Sequence, residues 1–373
     1  MGTVTVLPGF LVGVLSLQIR SDLDVSLAAA AAATSVFFAA GAFGSGLLGR
    51  AAQRAGAVAS MRIAALTSGT CMIAIAAVAT SLPVLLGLLV VAGLANSGAQ
   101  PAINMFLADE VPVERQGLAF GVKQSAIPGS ILVSGLALPL LALPFGWRPT
   151  VAVCGALALV MAAVLSARGR SGSARDAVRE PGPRRSRALI LMTAGAALAT
   201  FGPNALGAHM VGSAVDAEIS EAGAGLVVAV GSGASLAVRV ALGHRADRRS
   251  DHGLGVVALL LGAGSLGFAL MASGEASLLL GGALVAFSLG WGWPGLFNLA
   301  VVSSHRMAPA AATGITQTGI YIGAAGGPVT CGLLAAHHGY PTAWAAMAAT
   351  TVAGAAVMGL AAQGVAKGGG APL

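Results

Sequence analysis

Residues Ser97–Ser125 read SGAQPAINMFLADEVPVERQGLAFGVKQS, and 193 positions later Gly290–Thr318 read GWGWPGLFNLAVVSSHRMAPAAATGITQT. Laid over one another without a gap, Pro101 falls on Pro294, Gly121 on Gly314, Gln124 on Gln317 and Ser125 on Thr318. The register continues to Gly146-Trp147 over Gly339-Tyr340. With one residue of slip it carries Gly13 to Gly207, Asp22 to Asp216, Ser26 to Ser220, Gly49 to Gly243 and Arg54 to Arg248. Chance supplies some of these identities in a chain so rich in Gly and Ala. Proline, glutamine and loop arginine recurring in one register are what mark two copies of one structural unit.

Composition says what the unit is made of. Of 373 residues 56% are hydrophobic and 9% are charged, where soluble proteins run near 25% charged. The charges cluster, so that 63–108, 188–215, 252–274, 276–305 and 307–366 hold no Asp, Glu, Lys or Arg. Each interval accommodates one or two membrane spans of about 20 residues. The apolar runs lack strict alternation and are too long for barrel strands, which leaves helices as the spanning element.

We place twelve spans at roughly 4–20, 25–48, 58–81, 83–108, 116–141, 147–167, 188–212, 222–242, 253–273, 277–302, 309–335 and 341–364. The first opens almost at Met1, which leaves open a missing N-terminal stretch or a misassigned start. It has no charged n-region and no cleavage site before a soluble domain, so it reads as a span and not as a removable signal. Residues 168–187 are rich in Arg, Gly, Ser and Pro and read as a flexible cytoplasmic linker. The expected organisation is a six-helix half over 1–167, the linker, a second six-helix half over 188–366 and a tail over 367–373.

The formal charge of +7 invites a nucleic-acid reading, but seven of the twenty basic residues lie between Arg168 and Arg187, beside the membrane, where they act as a topology signal. With both termini cytoplasmic, sixteen basic residues fall inside and two, Arg20 and Arg148, outside. The chain therefore reads as a multi-pass protein of the plasma membrane, in a bacterium the inner membrane, with no nucleic-acid partner. Arg20 is expected to pair with Asp22 or Asp24 at the outer surface. Cys71, Cys154 and Cys331 stand singly in apolar segments without ligand-spaced histidines, so neither a disulfide framework nor a metal site is indicated.

A six-plus-six parallel repeat joined by a cytoplasmic linker resembles the major facilitator superfamily over nearly the whole chain. The resemblance is carried by Gly49-Arg50-Ala51-Ala52-Gln53-Arg54-Ala55-Gly56 after the second span and by Gly243-His244-Arg245-Ala246-Asp247-Arg248-Arg249 after the eighth. Both look like the family's loop of Gly, then Asp-Arg, then Gly and basic residues. The first copy has Gln53 where Asp is usual, and the second has Ser250 for the last Gly. The resemblance implies a cytoplasmic latch that draws on Gly49, Arg54, Arg239, Gly243, Asp247 and Arg248. The alternative is that these residues only anchor the topology. It also implies a solute site between the halves near the bilayer midplane, alternating access, a monomer surrounded by lipid, a coupling proton and no cofactor.

Polar side chains inside spans are the candidates for that site, because hydrocarbon does not tolerate them unpartnered. Asn96, Gln100 and Asn104 recur every four residues and line one helical face. The tenth span adds Trp291, Trp293 and Asn298, the seventh Asn204 and His209, the eleventh Gln317 and Tyr321, and the first Gln18. Each has a structural reading as an interhelical hydrogen bond, and a lone histidine is more often a packing residue than a proton carrier. Gln124 and Gln317 hold equivalent places beside the symmetry axis. The Gly319, Gly323, Gly327 ladder reads as close-packing apparatus.

Lys123 breaks the symmetry, since its counterpart is Thr316. It lies eight residues beyond Arg115, about 12 Å into the membrane at 1.5 Å per residue, a long reach for a snorkelling stem. A buried lysine without buried carboxylates favours an anionic solute. Proton-coupled drug exporters of the family typically show Arg in the fourth span and a Gly-Pro element in the fifth. Here the fourth span has no Arg, and the fifth has Pro128-Gly129. Efflux of a neutral or amphiphilic metabolite by proton antiport is the alternative, supported by Trp291 and Trp293. An enzyme would need a nucleophile–base set, a metal cluster or a phosphate loop, and no such motif is found.

Overall fold

A computed structural model describes residues 1–112, 115–167, 187–246, 253–305 and 309–368. Most of the linker, Asp247, Arg248 and residues 369–373 lie outside the described residues.

The described chain is helical from end to end. Helices α1 (Gly2–Val14) and α2 (Ser16–Leu23) follow one another across a bend of 64°. Then come α3 (Leu27–Ala55), α4 (Ala57–Val78) and α5 (Leu82–Glu110). The next crossing is interrupted: α6 (Gln116–Gln124) breaks at Ser125, α7 (Ala126–Ala137) follows, and a wide π turn at Leu138–Ala142 leads into the short α8 (Leu143–Phe145). After α9 (Trp147–Ala167), the second repeat holds α10 (Arg187–Asp216), α11 (Glu221–Ala246), α12 (Leu254–Met271), α13 (Ala276–Ser288), α14 (Pro294–Ser304) and α15 (Pro309–Gly368). α15 is two helices joined across Gly339. By length and apolar composition, nine described helices can cross a membrane, or ten if the bent pair is one span. Taking α13 with α14 as one interrupted crossing, and α15 as two, groups the described helices as the twelve crossings expected.

The repeat is written into the turns. Gly146 and Gly339, one register apart, both turn at positive φ (89° and 82°), a region in which a Cβ is strained. Asp24 and Glu218, also equivalent, are the two non-glycine residues at positive φ among the described residues. Ser26 accepts the Ala29 amide at 3.2 Å, and its equivalent Ser220 accepts the Gly223 amide at 3.2 Å. Each thereby caps one of the orphan donors at a helix start.

The repeats meet along α1 and α10, α3 and α15, and α7 and α11. Small residues set these contacts. Gly13 lies on Ala208, Gly332 on Ala31, and Gly135 on the backbone of Gly225. In the second repeat the ladder of Gly319, Gly323 and Gly327 lies against the carbonyls of Thr193, Ala197 and Phe201 on α10.

The hydrophobic core shows how the molecule is opened. At the end remote from the termini, one continuous cluster runs through both repeats and includes Phe10, Phe37, Ile131, Trp291, Phe268 and Trp344. At the end carrying the termini, the core divides into two separate clusters. One is built on Met192, Leu254, Phe297 and Met358 in the second repeat, and the other on Met61, Ala64 and Ile103 in the first. Apolar burial joins the repeats at one end and leaves them apart at the other.

Arg20 does not pair with Asp22 or Asp24. Asp22 instead meets Arg148 at 2.8 Å, 126 residues away, the one ion pair among the described residues. Arg20 and Asp22 are two residues apart on α2 and face different sides of it, and Arg20 Nε stays buried without a partner among the described residues.

Candidate functional site

The polar face of α5 is in contact with α1. Thr5 points its hydroxyl at Gly2 O and Asn96 Oδ1, each 3.1 Å away, and Gln100 Nε2 donates to the same Asn96 oxygen at 3.3 Å. Asn104 Oδ1 is buried with no partner among the described residues. The four-residue spacing thus divides into a satisfied pair and a free acceptor one turn on. Thr5 was not a sequence candidate. Its signal is a hydroxyl in the apolar opening run of the first span.

The two tryptophans of the interrupted tenth crossing separate. Trp291 lies between the repeats, its ring edge-on to Phe10 at 5.7 Å and stacked on Phe287 at 6.3 Å. Trp293 turns into the second repeat's own core beside Phe297, and its indole N–H has no acceptor among the described residues. Asn298 and Gln317 are half-buried, while Tyr321 is buried with its ring against Gly41 of α3. Asn204 donates to the Thr200 carbonyl of its own helix at 3.0 Å. The His209 ring lies 2.8 Å from Pro328 O and joins α10 to α15. Gln18 sits half-buried near the α1–α2 bend, its Oε1 unpartnered among the described residues.

The charged groups lie where α6 meets α11. Lys123 is half-buried and forms no ion pair among the described residues. One residue on, the Gln124 carbonyl accepts a hydrogen bond from Arg239 Nη1 on α11. Arg239 is 1% exposed. Its Nε donates to Trp291 O at 2.9 Å, its Cζ lies 6.0 Å from the Trp291 ring centroid, and its Nη2 is buried without an acceptor among the described residues. No other charged side chain among the described residues is buried.

Of the remaining latch candidates, Gly243 faces Gly121 across the interface, a methyl group on Gly49 would come no closer than 3.9 Å to Pro101, and Arg54 is exposed. Sequence reasoning placed Arg239 with this latch and missed its bonds to the other repeat. The available signal was Pro128, four residues after Gln124, which leaves that carbonyl without a helical donor.

Comparison with known proteins bears on this arrangement. A family model described as Major Facilitator Superfamily matches residues 3–202. No curated protein matches the chain. Two crystal structures of a bacterial homologue of the human lysosomal transporter Spinster share the fold. The inward-facing, unoccupied form matches with a TM-score of 0.71 and 15% identity over 98% of this chain and 95% of that one. The inward-facing, occupied form has the same score and identity over 98% and 93%. The duplicated helical unit, the membrane-length apolar helices and the family model agree, and the chain belongs to the major facilitator superfamily of membrane transporters.

Proposed function

We propose that the protein moves a small organic anion by alternating access, with a proton as coupling ion. The observation that carries this reading is an unpaired cation inside the interrupted crossing formed by α6, α7 and α8. Lys123 lies within that crossing and no carboxylate pairs with it among the described residues, whereas Arg239 is held by the Gln124 and Trp291 carbonyls. A cation in hydrocarbon costs about 2.5–3.5 kcal/mol on insertion scales, and an anionic solute at the midplane offsets that cost. Lys123 is assigned both the solute's charge and the proton, because lysine exchanges its proton and arginine does not. Asn104, Gln317 and Asn298 are assigned the solute's polar groups. The packed faces of Trp291 leave little aromatic surface for an amphiphile, which weighs against efflux of a neutral metabolite.

In this reading both termini are cytoplasmic, the halves are 1–167 and 188–366 joined by 168–187, and the monomer works in a bacterial inner membrane. The Spinster homologue is known inward-facing both empty and occupied. The divided core at the termini end of this chain supports the same sense of opening.

Proteoliposomes carrying wild type, Lys123→Gln or Lys123→Arg, assayed with a panel of labelled mono- and dicarboxylates, test the proposal. Lys123→Gln is expected to lose uptake at least tenfold and Lys123→Arg to retain binding but lose proton coupling. Unchanged anion transport in both variants would sink the idea.

A further inference from the structure

The two corners at which the repeats meet near the termini are built from equivalent positions and are not alike. At the first corner, Pro128 lacks the N–H that would close a helical bond onto Gln124, and Arg239 Nη1 takes that carbonyl instead. Trp291 O, in the break between α13 and α14, receives Arg239 Nε at 2.9 Å. One guanidinium thus fills a backbone vacancy in each repeat. Its two acceptors stand at the last residue of α6 and in the break after α13, where helix ends leave carbonyls open. That explains how a cation 1% exposed is held without a carboxylate. The joint is close: a methyl group on Gly121 would lie 3.5 Å from Arg239 O and 3.7 Å from Gly243 Cα.

At the second corner the repeat puts Ser45 in place of Arg239, Tyr321 in place of Pro128 and Gly98 in place of Trp291. Tyr321 has the backbone N–H that Pro128 lacks. The Ser45 hydroxyl bonds back to Ala42 O of its own helix at 2.9 Å. Gly314, the counterpart of Gly121, is exposed, and a methyl group there would meet nothing within 4 Å. On α3, Phe43 and Leu47 are 87% and 68% exposed.

We propose that Arg239 is a hinge pin, a positioning residue that keeps α6, α11 and the α13–α14 break joined while α3 and the first part of α15 swing apart. The halves then open about one edge, and the access path lies at the α3–α5–α15 corner. The proposal rests on the family's alternation between two states and not on the charge of the solute.

Spin-label distances in nanodiscs, on a background with Cys71, Cys154 and Cys331 replaced, test it without any solute. One label pair, Leu118→Cys with His244→Cys, spans the first corner. Another, Ala51→Cys with Gly314→Cys, spans the second. The first pair is expected to give a single narrow distance and the second a distribution at least twice as broad. Arg239→Leu should broaden the first pair toward the second. Because Arg239→Leu alone strands the carbonyls of both Gln124 and Trp291, the measurement is repeated in Pro128→Ala/Arg239→Leu, where the backbone N–H restored by the proline replacement supplies the helical donor to Gln124 O and leaves only Trp291 O open. That variant should fold and still show the broadened first corner. Equal breadth at both corners in wild type, or an unaltered first corner in the double variant, overturns the proposal.

Discussion

Glycine in this chain has two jobs, told apart only by what lies over each one. Gly323 faces the Ala197 carbonyl so closely that any Cβ must displace backbone, whereas Gly281 has nothing within 4 Å of a built Cβ. Overpacking of that kind costs about 1–3 kcal/mol, while relieving a helical glycine gains about 0.5–1 kcal/mol. Gly323→Ala is therefore expected to lower the apparent melting temperature in detergent, and Gly281→Ala to leave it unchanged or raise it slightly. An unchanged melting temperature in Gly323→Ala would show that α10 and α15 do not meet this closely. Trp344 gives a second residue-scale case, since its indole donates to the buried Ser213 hydroxyl at 2.8 Å. Ser213→Ala strands that N–H at a cost of about 1–3 kcal/mol, and a thermal unfolding series reads the loss directly.

Among the elements, the end of α4 shows why the surface pairing of Arg148 differs from a simple ion pair. Besides Asp22, the guanidinium bonds Ala79 O at 2.9 Å and Ala76 O at 3.3 Å, and it lies 4.4 Å from the Trp147 ring centroid. It satisfies carbonyls that the helix end leaves open, and a cation there complements the dipole. Asp22→Asn should cost under about 1 kcal/mol, as half-exposed pairs do. Arg148→Ala should cost clearly more, because it removes two caps as well as the charge. Equal losses in the two variants would mean that the caps contribute nothing. The position of each helix was readable from hydropathy and charge, but this pairing was not: Arg20 and Asp22 stand two apart on α2 and so face different sides of it, and only Asp22 is brought opposite Arg148. The breaks at Ser125 and between α13 and α14 were also hidden, although Pro128 and Pro294 stood in the text.

For the whole molecule, the continuous core at the end remote from the termini makes that end the closed one. Gly13 and Ala208 face each other there, with a built Cβ 2.8 Å from Ala208 Cα and 3.3 Å from Ala208 Cβ, so a disulfide, whose Cβ atoms stand roughly 3.5–4.5 Å apart, forms once the two helices ease apart slightly. Oxidation of Gly13→Cys/Ala208→Cys, with the native cysteines replaced, should arrest transport and reduction restore it. Undiminished transport in the cross-linked protein would mean that α1 and α10 never part at this level. The measurement is independent of the hinge at Arg239, because it clamps the opposite end.

Membrane location, helical character, the duplicated unit and the family were all legible from the chain alone. They depend on properties that sequence carries locally: unbroken apolar length, the side on which arginines gather, and residues recurring in register. The polar candidates were legible as a set, since any polar group in hydrocarbon stands out. Which of them meet was decided by tertiary structure. Arg239 finds the Gln124 carbonyl 115 residues away, Trp291 and Trp293 part company, and two corners equal in the repeat become one joined and one open. In an apolar medium a polar atom's partner is whichever group the packing brings opposite, and that opposition exists only once the helices are assembled.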